Sequence, residues 1–213
     1  MKTIKLLSIT FAMFLAMTAN AQFVNSGGIK GGGSSSSSEY AEQNQNYNRI
    51  ILGWAPTKFS VKSESETMQG FDFGWIGGYN VTPGKKFPLY VETGLLMNAD
   101  FGECMSESDK LLAFSVPINA TYRYHFKNTN IYAAPYFGFH FKVNALLLDD
   151  DGDSYFNYDA MKRFQFGMQL GVNFDISKFN IGFGWDNDFL PIAKYGSYSV
   201  GTSGARIHIG VVF

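Results

Sequence analysis

The stretch ARIHIGVVF, residues 205–213, alternates with a period of two up to the last residue of the sequence. Five apolar side chains share one face, and an arginine, a histidine, a glycine and a valine stand between them. Because a β-strand points successive side chains to opposite faces, this pattern predicts a strand with one continuous apolar face. Most domains end in a frayed polar tail. The apolar face is therefore expected to be covered by something that is itself apolar.

The opposite end of the sequence predicts export from the cytoplasm. Lys2 and Lys5 precede an apolar run over residues 6–17, and Ala19-Asn20-Ala21 follows. A basic start, a short apolar core and a small-x-small site are typical of a secretory signal peptide. Residues 1–21 are interpreted as that signal, with cleavage after Ala21, since the run is shorter than the roughly 20 residues of a membrane-spanning helix.

Composition narrows the class of protein further. Aromatic residues make up 17% of the chain, and 23 glycines accompany them, a mixture that favours strands and turns. The formal net charge of −1 gives no reason to expect nucleic acid as a partner. Cys104 is the single cysteine, so no internal disulfide is possible. Residues 22–47, which include GGIKGGGSSSSS, are predicted to form a disordered Gly/Ser-rich leader.

Eight segments from Arg49 onward share the alternation of the terminal stretch. In most of them the apolar face is continuous and rich in aromatic side chains. These side chains are too bulky to fit into the interior of a small barrel. The opposite face carries amides, carboxylates, arginines, histidines and small glycines. The segments cover residues 49–60, 71–81, 89–101, 112–126, 131–145, 164–176, 179–185 and 205–213.

This arrangement predicts a barrel that stands in lipid. Long strands with apolar side chains outward and polar side chains inward are typical of transmembrane barrels. A sheet in lipid must close, because every backbone polar group has to be paired internally. Short connections such as KNTN (127–130) alternate with long ones such as LLDDDGDSYFNYDAMK (147–162). We therefore predict an all-β fold, an eight-stranded antiparallel up-and-down transmembrane β-barrel over residues 48–213.

Several stretches also resemble a known group of proteins. RIILGWAPTKFS (49–60), IYAAPYFGFHF (131–141) and IHIGVVF (207–213) are similar to the small bacterial outer-membrane β-barrel proteins. The nearest resemblance is to the PorT-type outer membrane protein beta-barrel domain family, with an OmpA/OmpX-like architecture. The resemblance implies a place in the outer membrane of a Gram-negative envelope. It also implies that Phe213 is part of the signal read by the barrel-assembly machinery, and it carries over no catalytic residues.

The inward face predicts specific ion pairs, because a charge in a narrow interior is costly unless it is paired. Glu92 and Arg123 stand about three residues from adjacent short turns on neighbouring strands. Asp186 and Arg206 stand at similar heights on the last two strands. We predict Glu92–Arg123 and Asp186–Arg206 contacts inside the barrel.

No cofactor, metal or catalytic site is expected from the sequence. His125, His140 and His208 all point inward, but they stand at different heights and are not expected to share a metal ion. The DDDGD stretch (149–153) lacks the ligand spacing of an EF-hand and is interpreted as a solvated acidic loop. No Ser/His/acid set can be assembled.

The function hypothesis is a non-enzymatic, monomeric outer-membrane barrel. Its role would be structural, or would be surface interaction through the extracellular loops. Its expected partners are outer-membrane lipid and, during biogenesis, the barrel-assembly machinery. The alternatives are a narrow conduit, a small-molecule binding barrel and an envelope lipid-modifying enzyme. An eight-strand barrel leaves an interior only wide enough for side chains, which disfavours the conduit.

Overall fold

The computed structural model describes residues 45–62, 64–83, 87–103 and 108–213. Most of these residues lie in antiparallel strands, and a 3₁₀ turn spans Tyr155–Asn157. No helix in the described ranges is long and apolar enough to cross a membrane. The strands are β1 (Tyr47–Trp54), β2 (Thr57–Val61), β3 (Glu64–Asn80), β4 (Leu89–Gly102), β5 (Asp109–Tyr122), β6 (Tyr124–His125), β7 (Ile131–Leu148), β8 (Phe164–Ile176), β9 (Phe179–Asp188), β10 (Ala193–Tyr195) and β11 (Tyr198–Val212).

The strands close into a ring. β1 and β2 both pair with β3, the pairing continues in the order β3-β4-β5-β7-β8-β9, and β11 pairs with β9 on one side and with β1 and β2 on the other. At the seam, Arg49 lies opposite Val212 and Trp54 lies opposite Ile207. Every pairing is antiparallel. The eight-stranded antiparallel barrel predicted from the sequence is confirmed.

Two of the eight predicted strands are interrupted, which is why more than eight segments appear. β1 and β2 form the first strand and are separated by Ala55 and Pro56. Proline has no N–H to donate to a ladder, so it ends β1 after Trp54. Arg123 separates β5 from β6, and its N–H donates to Pro88 O at 3.3 Å. The remaining extra segment, β10, is a short arm that folds back on β11.

The described residues confirm the predicted inward and outward faces. On β11, Ile207, Ile209 and Val211 are exposed, whereas Arg206 and His208 are buried. The register of β1, which the sequence leaves ambiguous, places Ile50, Leu52 and Trp54 outside. The exposed face of the barrel is thus the apolar one, and the interior is polar. We call this interior the lumen.

A β-bulge shifts the alternation near the end of β7. The register between β5 and β7 slips between Leu112 and Ala113. Beyond that point Leu146 is exposed and Leu147 is buried, so the outward positions change from odd to even residues. The sequence pattern had continued the outward face through Ala145. A bulge adds one residue to one strand only, and it therefore moves every later side chain to the opposite face.

Parts of the predicted long connections are ladder rather than loop. β2 and β3 pair from Thr57↔Met68 to Val61↔Glu64, and β4 pairs with β5 out to Gly102↔Asp109. These extensions lack a continuous apolar face, and the sequence pattern therefore reads them as loops. Beyond the apolar band, a strand is stabilised by backbone hydrogen bonds to its neighbours and by the packing of one of its two faces. Residues 149–163 remain irregular apart from the 3₁₀ turn and isolated bridges.

The two ends of the barrel differ. We call the end with the short connections 81–88, 123–130 and 177–178 the turn end, and the opposite end the loop end. At the loop end a cluster of buried apolar side chains comes from strand extensions and connections. We call it the apolar cap. It consists of Phe59, Met68, Leu111, Leu147, Met161, Ile192 and Ala193, with Tyr155, Phe156 and Val200 packed against it.

Candidate functional site in the barrel lumen

The turn end of the lumen is filled by ion pairs centred on Arg49. Its guanidinium donates from Nη1 to Glu92 Oε1 at 2.7 Å, and from Nε and Nη2 to the two oxygens of Asp175 at 3.1 and 3.0 Å. Arg49 is completely buried and so is Asp175. The bidentate geometry is the arrangement in which a guanidinium binds a carboxylate most strongly. This contact joins β1 to β4 and β8 across the lumen.

Further polar groups complete the same cluster. Arg123 donates from Nη2 to Asp175 Oδ2 at 3.1 Å, and Asn180 donates its amide to Asp175 Oδ1 at 2.8 Å. The Tyr47 hydroxyl donates to Glu92. Both guanidinium groups also lie 4.6 Å from the centre of the Tyr47 ring. The cluster therefore holds two arginines and two carboxylates, so its formal charges cancel.

The predicted Glu92–Arg123 pair is corrected by this geometry. Both side chains are buried in the lumen, as expected, but Glu92 pairs with Arg49 and Arg123 pairs with Asp175. Leu89 lies opposite Tyr122, so Arg123 is level with residue 88 and stands four residues below Glu92. Four residues along a strand span about 13 Å. Arg49 lies opposite Ile76, which lies opposite Gly94, so Arg49 is level with a position only two residues from Glu92.

The Asp186–Arg206 prediction is corrected in the same way. Asp186 lies opposite Gly204 rather than Arg206, and the Arg206 guanidinium instead binds Asp72 on β3. The contact passes over Gly53 on β1, which lies opposite both Asp72 and His208. A Cβ at Gly53 would meet Asp72 Oδ1, so the missing side chain makes room for this pair. All four predicted residues lie in the lumen, each with a different partner.

The middle of the lumen is crossed by neutral hydrogen bonds. His208 Nε2 lies 2.9 Å from Asn173 Oδ1, and Gln169 donates to Asn119 Oδ1 at 2.7 Å. Tyr136 lies in the space that glycine leaves on β8 and β9. A Cβ at Gly171 or at Gly184 would meet its hydroxyl. These contacts leave little open space at this height.

The loop end of the lumen holds a second charged cluster. Asp188 accepts from Lys142 Nζ at 2.7 Å, lies 2.6 Å from His140 Nε2 and accepts from the Thr202 hydroxyl. Gln165 on β8 donates to Thr202 at 2.6 Å and accepts from the Asn144 amide at 2.7 Å, which extends the polar contacts to β7. His140 and His208 thus have separate partners at different heights. His125 lies at the turn end, where it stacks on Tyr132.

The seam holds the predicted assembly residue. The Phe213 N–H donates to Asn48 O at 3.0 Å, and the Asn48 N–H donates to Phe213 O at 2.8 Å. The Phe213 ring is 65% exposed on the apolar outer face, at the turn end of the barrel. Phe213 therefore closes the ring with its backbone and extends the outer face with its ring. Its role as an assembly signal remains a prediction.

Sequence reasoning missed the residues that organise the lumen. Arg49 occupies an inward position of the alternating pattern on β1. Because the register of β1 is ambiguous in the sequence, Arg49 was not counted among the lumen charges. Tyr47, the first residue of β1, was assigned to the leader. Asp72 was hidden inside an aromatic-rich segment. A count of every inward charge, rather than of neighbouring strands only, would have found Arg49 and Asp72.

Other predictions fall outside the described residues. These are the signal peptide over residues 1–21, the leader up to residue 44, and Cys104. The DDDGD stretch is described and forms an exposed turn, in which the Asp153 N–H donates to Asp149 Oδ1 at 2.7 Å.

Comparison with known proteins assigns the family. The profile of the family described as "Outer membrane protein beta-barrel domain" matches residues 9–213. The chain belongs to this family. The family implies a place in the outer membrane. No curated protein matches the chain.

Solved outer-membrane barrels are similar to the chain at low identity. The attachment invasion locus protein Ail of Yersinia pestis is 13% identical, with a TM-score of 0.48 over 79% of this chain and 99% of Ail. Neisserial surface protein A is 15% identical, with a TM-score of 0.46 over 79% of this chain and 97% of its own. The outer membrane enzyme PagL is 7% identical, with a TM-score of 0.48 over 75% of this chain and 98% of PagL.

Proposed function

We propose that this protein is a sealed, non-enzymatic, monomeric barrel of the outer membrane that acts through its loop end. The observation that carries the proposal is the filled lumen. A neutralised ion cluster lies across the turn end, hydrogen bonds cross the middle, and the apolar cap lies at the loop end. Among the residues that the structure describes, these layers leave a solute no open path, so contact with other molecules falls to the outer surface.

The placement of the histidines supports a non-enzymatic role. A lipid-modifying enzyme needs its base or nucleophile at the lipid-facing rim, within reach of its substrate. His140 and His208 are buried in the lumen. His125 lies beside the turn at 126–130 and contacts Thr129 O at 2.6 Å.

The proposal also covers export and orientation. Residues 1–21 are removed after Ala21, and outer-membrane lipid surrounds the exposed apolar face. The barrel-assembly machinery inserts the chain, with the turn end towards the periplasm. Short periplasmic turns and longer extracellular connections are the rule for bacterial outer-membrane barrels.

Planar-bilayer recording tests the sealed lumen. The purified full-length mature protein, inserted into a planar lipid bilayer in potassium chloride, is expected to give no discrete conductance steps. The physical reason is that ions cannot cross the Arg49 cluster without breaking its buried pairs. A trimeric porin recorded in the same bilayer is the positive control. Reproducible steps from the heat-modifiable, folded form would refute the proposal and favour the conduit.

A further inference from the structure

The outer surface at the turn end carries exposed cations and, among the described residues, no exposed acidic side chain. Lys127 lies in the connection between β6 and β7, and Lys178 lies in the connection between β8 and β9. The acidic residues at this end, Glu92 and Asp175, are buried in the lumen. The loop end differs, because exposed groups of both signs occur there. They include Lys58, Lys62, Lys110, Glu64, Glu66, Asp150 and Asp151.

The two exposed ammonium groups are available to an anion from outside. Within the described ranges, neither Lys127 nor Lys178 forms an ion pair or a side-chain hydrogen bond. The Phe213 carboxylate lies nearby, since the Val212 N–H donates to Lys178 O at 2.8 Å, but it forms no ion pair with either lysine. Two positive charges therefore stand against one negative charge at this rim.

A continuous apolar row borders the two lysines on the outer face. It runs from the end of β6 to β11 by direct cross-strand pairing, and all but one of its members are exposed. Lys127 directly follows the first member, and Lys178 directly precedes the fourth. The lysines therefore stand where the lipid-facing surface ends, at the level where headgroups begin. The apolar row consists of Phe126, Ile131, Ile176, Phe179 and Val211.

The two lysines are close enough to share one headgroup. The Ser177 N–H donates to Asn130 O at 2.8 Å, which ties the two connections together. Because Lys127 lies between β6 and β7 and Lys178 between β8 and β9, their backbones are two strand spacings apart, or about 10 Å. Each lysine carries its charge on a flexible four-carbon stem. Two such stems can place both ammonium groups against a single phosphate.

We propose that the outer rim at the turn end binds an anionic phospholipid, with Lys127 and Lys178 on its headgroup and the apolar row against its acyl chains. A partner of this surface has to be apolar beside the row and anionic beside the lysines. A phospholipid meets both conditions in one molecule, whereas a free phosphate meets only the second. The proposal goes beyond the proposed function, since a sealed barrel needs no preference among lipids.

Lipid competition tests this surface. The purified full-length mature protein in dodecylmaltoside micelles is mixed with equal amounts of phosphatidylglycerol and phosphatidylcholine, and the lipids that co-elute on gel filtration are measured. Phosphatidylcholine has the same phosphate and acyl chains, but its choline cation repels the lysines. At low salt we expect about a tenfold excess of bound phosphatidylglycerol or more, because two lysines act on one negative headgroup. At about 1 M salt, screening should remove most of this excess.

Variants assign the preference to the turn end, each compared as its folded, heat-modifiable form. Lys127→Gln with Lys178→Gln should reduce the excess to less than about twofold. Lys127→Arg with Lys178→Arg keeps both charges and should retain it. The matched control is Lys58→Gln with Lys110→Gln, which removes two exposed lysines of the loop end and should leave the excess unchanged.

The proposal is overturned if the wild type retains the two lipids in equal amounts, or if the loop-end variant loses the preference as fully as the turn-end variant. It is equally overturned if inorganic phosphate at the concentration of the lipid displaces phosphatidylglycerol, because the lysines would then bind a free anion without the apolar row. Conductance steps in the planar bilayer would refute the sealed lumen and would leave these lipid results unchanged.

Discussion

Replacing Arg49 with leucine is expected to destabilise the folded barrel by about 3–5 kcal/mol. Arg49 is completely buried and is the only guanidinium within 4 Å of Glu92 among the described residues. Its removal leaves Glu92 as an uncompensated buried charge and deprives Asp175 of a bidentate partner. Urea unfolding in detergent micelles, followed by tryptophan fluorescence, measures the change in the free energy of unfolding.

Two variants make the Arg49 experiment specific. Arg163→Leu removes an exposed guanidinium that donates to Ala145 O at 2.8 Å, and it should cost less than about 1 kcal/mol. Adding Glu92→Gln to Arg49→Leu should restore part of the stability, because it removes the uncompensated charge. The account of the lumen fails if Arg49→Leu costs no more than Arg163→Leu.

Deleting Phe213 is expected to lower the amount of folded protein in the outer membrane several-fold while leaving export intact. The deletion removes two backbone hydrogen bonds with Asn48 at the seam, together with the exposed ring. An unfinished barrel has a strand edge that another strand can pair, and β11 supplies that edge. Heat-modifiable protein in outer-membrane fractions, compared with total exported protein, gives the measurement.

Phe213→Ala separates the ring from the backbone. This variant keeps both hydrogen bonds with Asn48, so a signal carried by the ring predicts the same loss in cells as the deletion. Phe213→Tyr should assemble normally. The purified Phe213→Ala protein should refold into detergent like the wild type. Normal assembly of Phe213→Ala in cells would contradict the signal and leave the barrel itself unaffected.

The sequence predicted the barrel because one physical rule applies to every strand. Lipid outside and a filled polar interior require every segment to alternate between apolar and polar residues. Ile207 and Ile209 on the last strand and Leu52 on the first are all exposed on the apolar outer face. The rule applies only to the part of each strand that faces lipid. The polar extensions of β2 and β3 obey only backbone pairing, so their pattern resembles that of a loop.

The partners inside the lumen could not be predicted to the same depth. The alternation along a strand tells which side chains point into the lumen. The partner of each side chain depends on the register and on which strands face each other across the ring. Arg123 was paired by strand adjacency, whereas Asp175 reaches it across the lumen from β8. Small residues such as Gly53 decide which of these cross-lumen contacts fit. Sequence alternation alone does not contain that information.

Cross-linking of the seam tests the central claim, the closed ring, most directly. Leu52 and Ile209 lie opposite each other on β1 and β11, both with exposed side chains on the outer face. Opposite residues on antiparallel strands have Cα atoms about 4.5–5.5 Å apart, within the range of a disulfide. In a Cys104→Ser background, Leu52→Cys with Ile209→Cys should form a disulfide nearly completely in the folded protein. Leu52→Cys with Val211→Cys, two residues out of register, should not, and a ring that is open or differently registered would show the reverse or no disulfide in either pair.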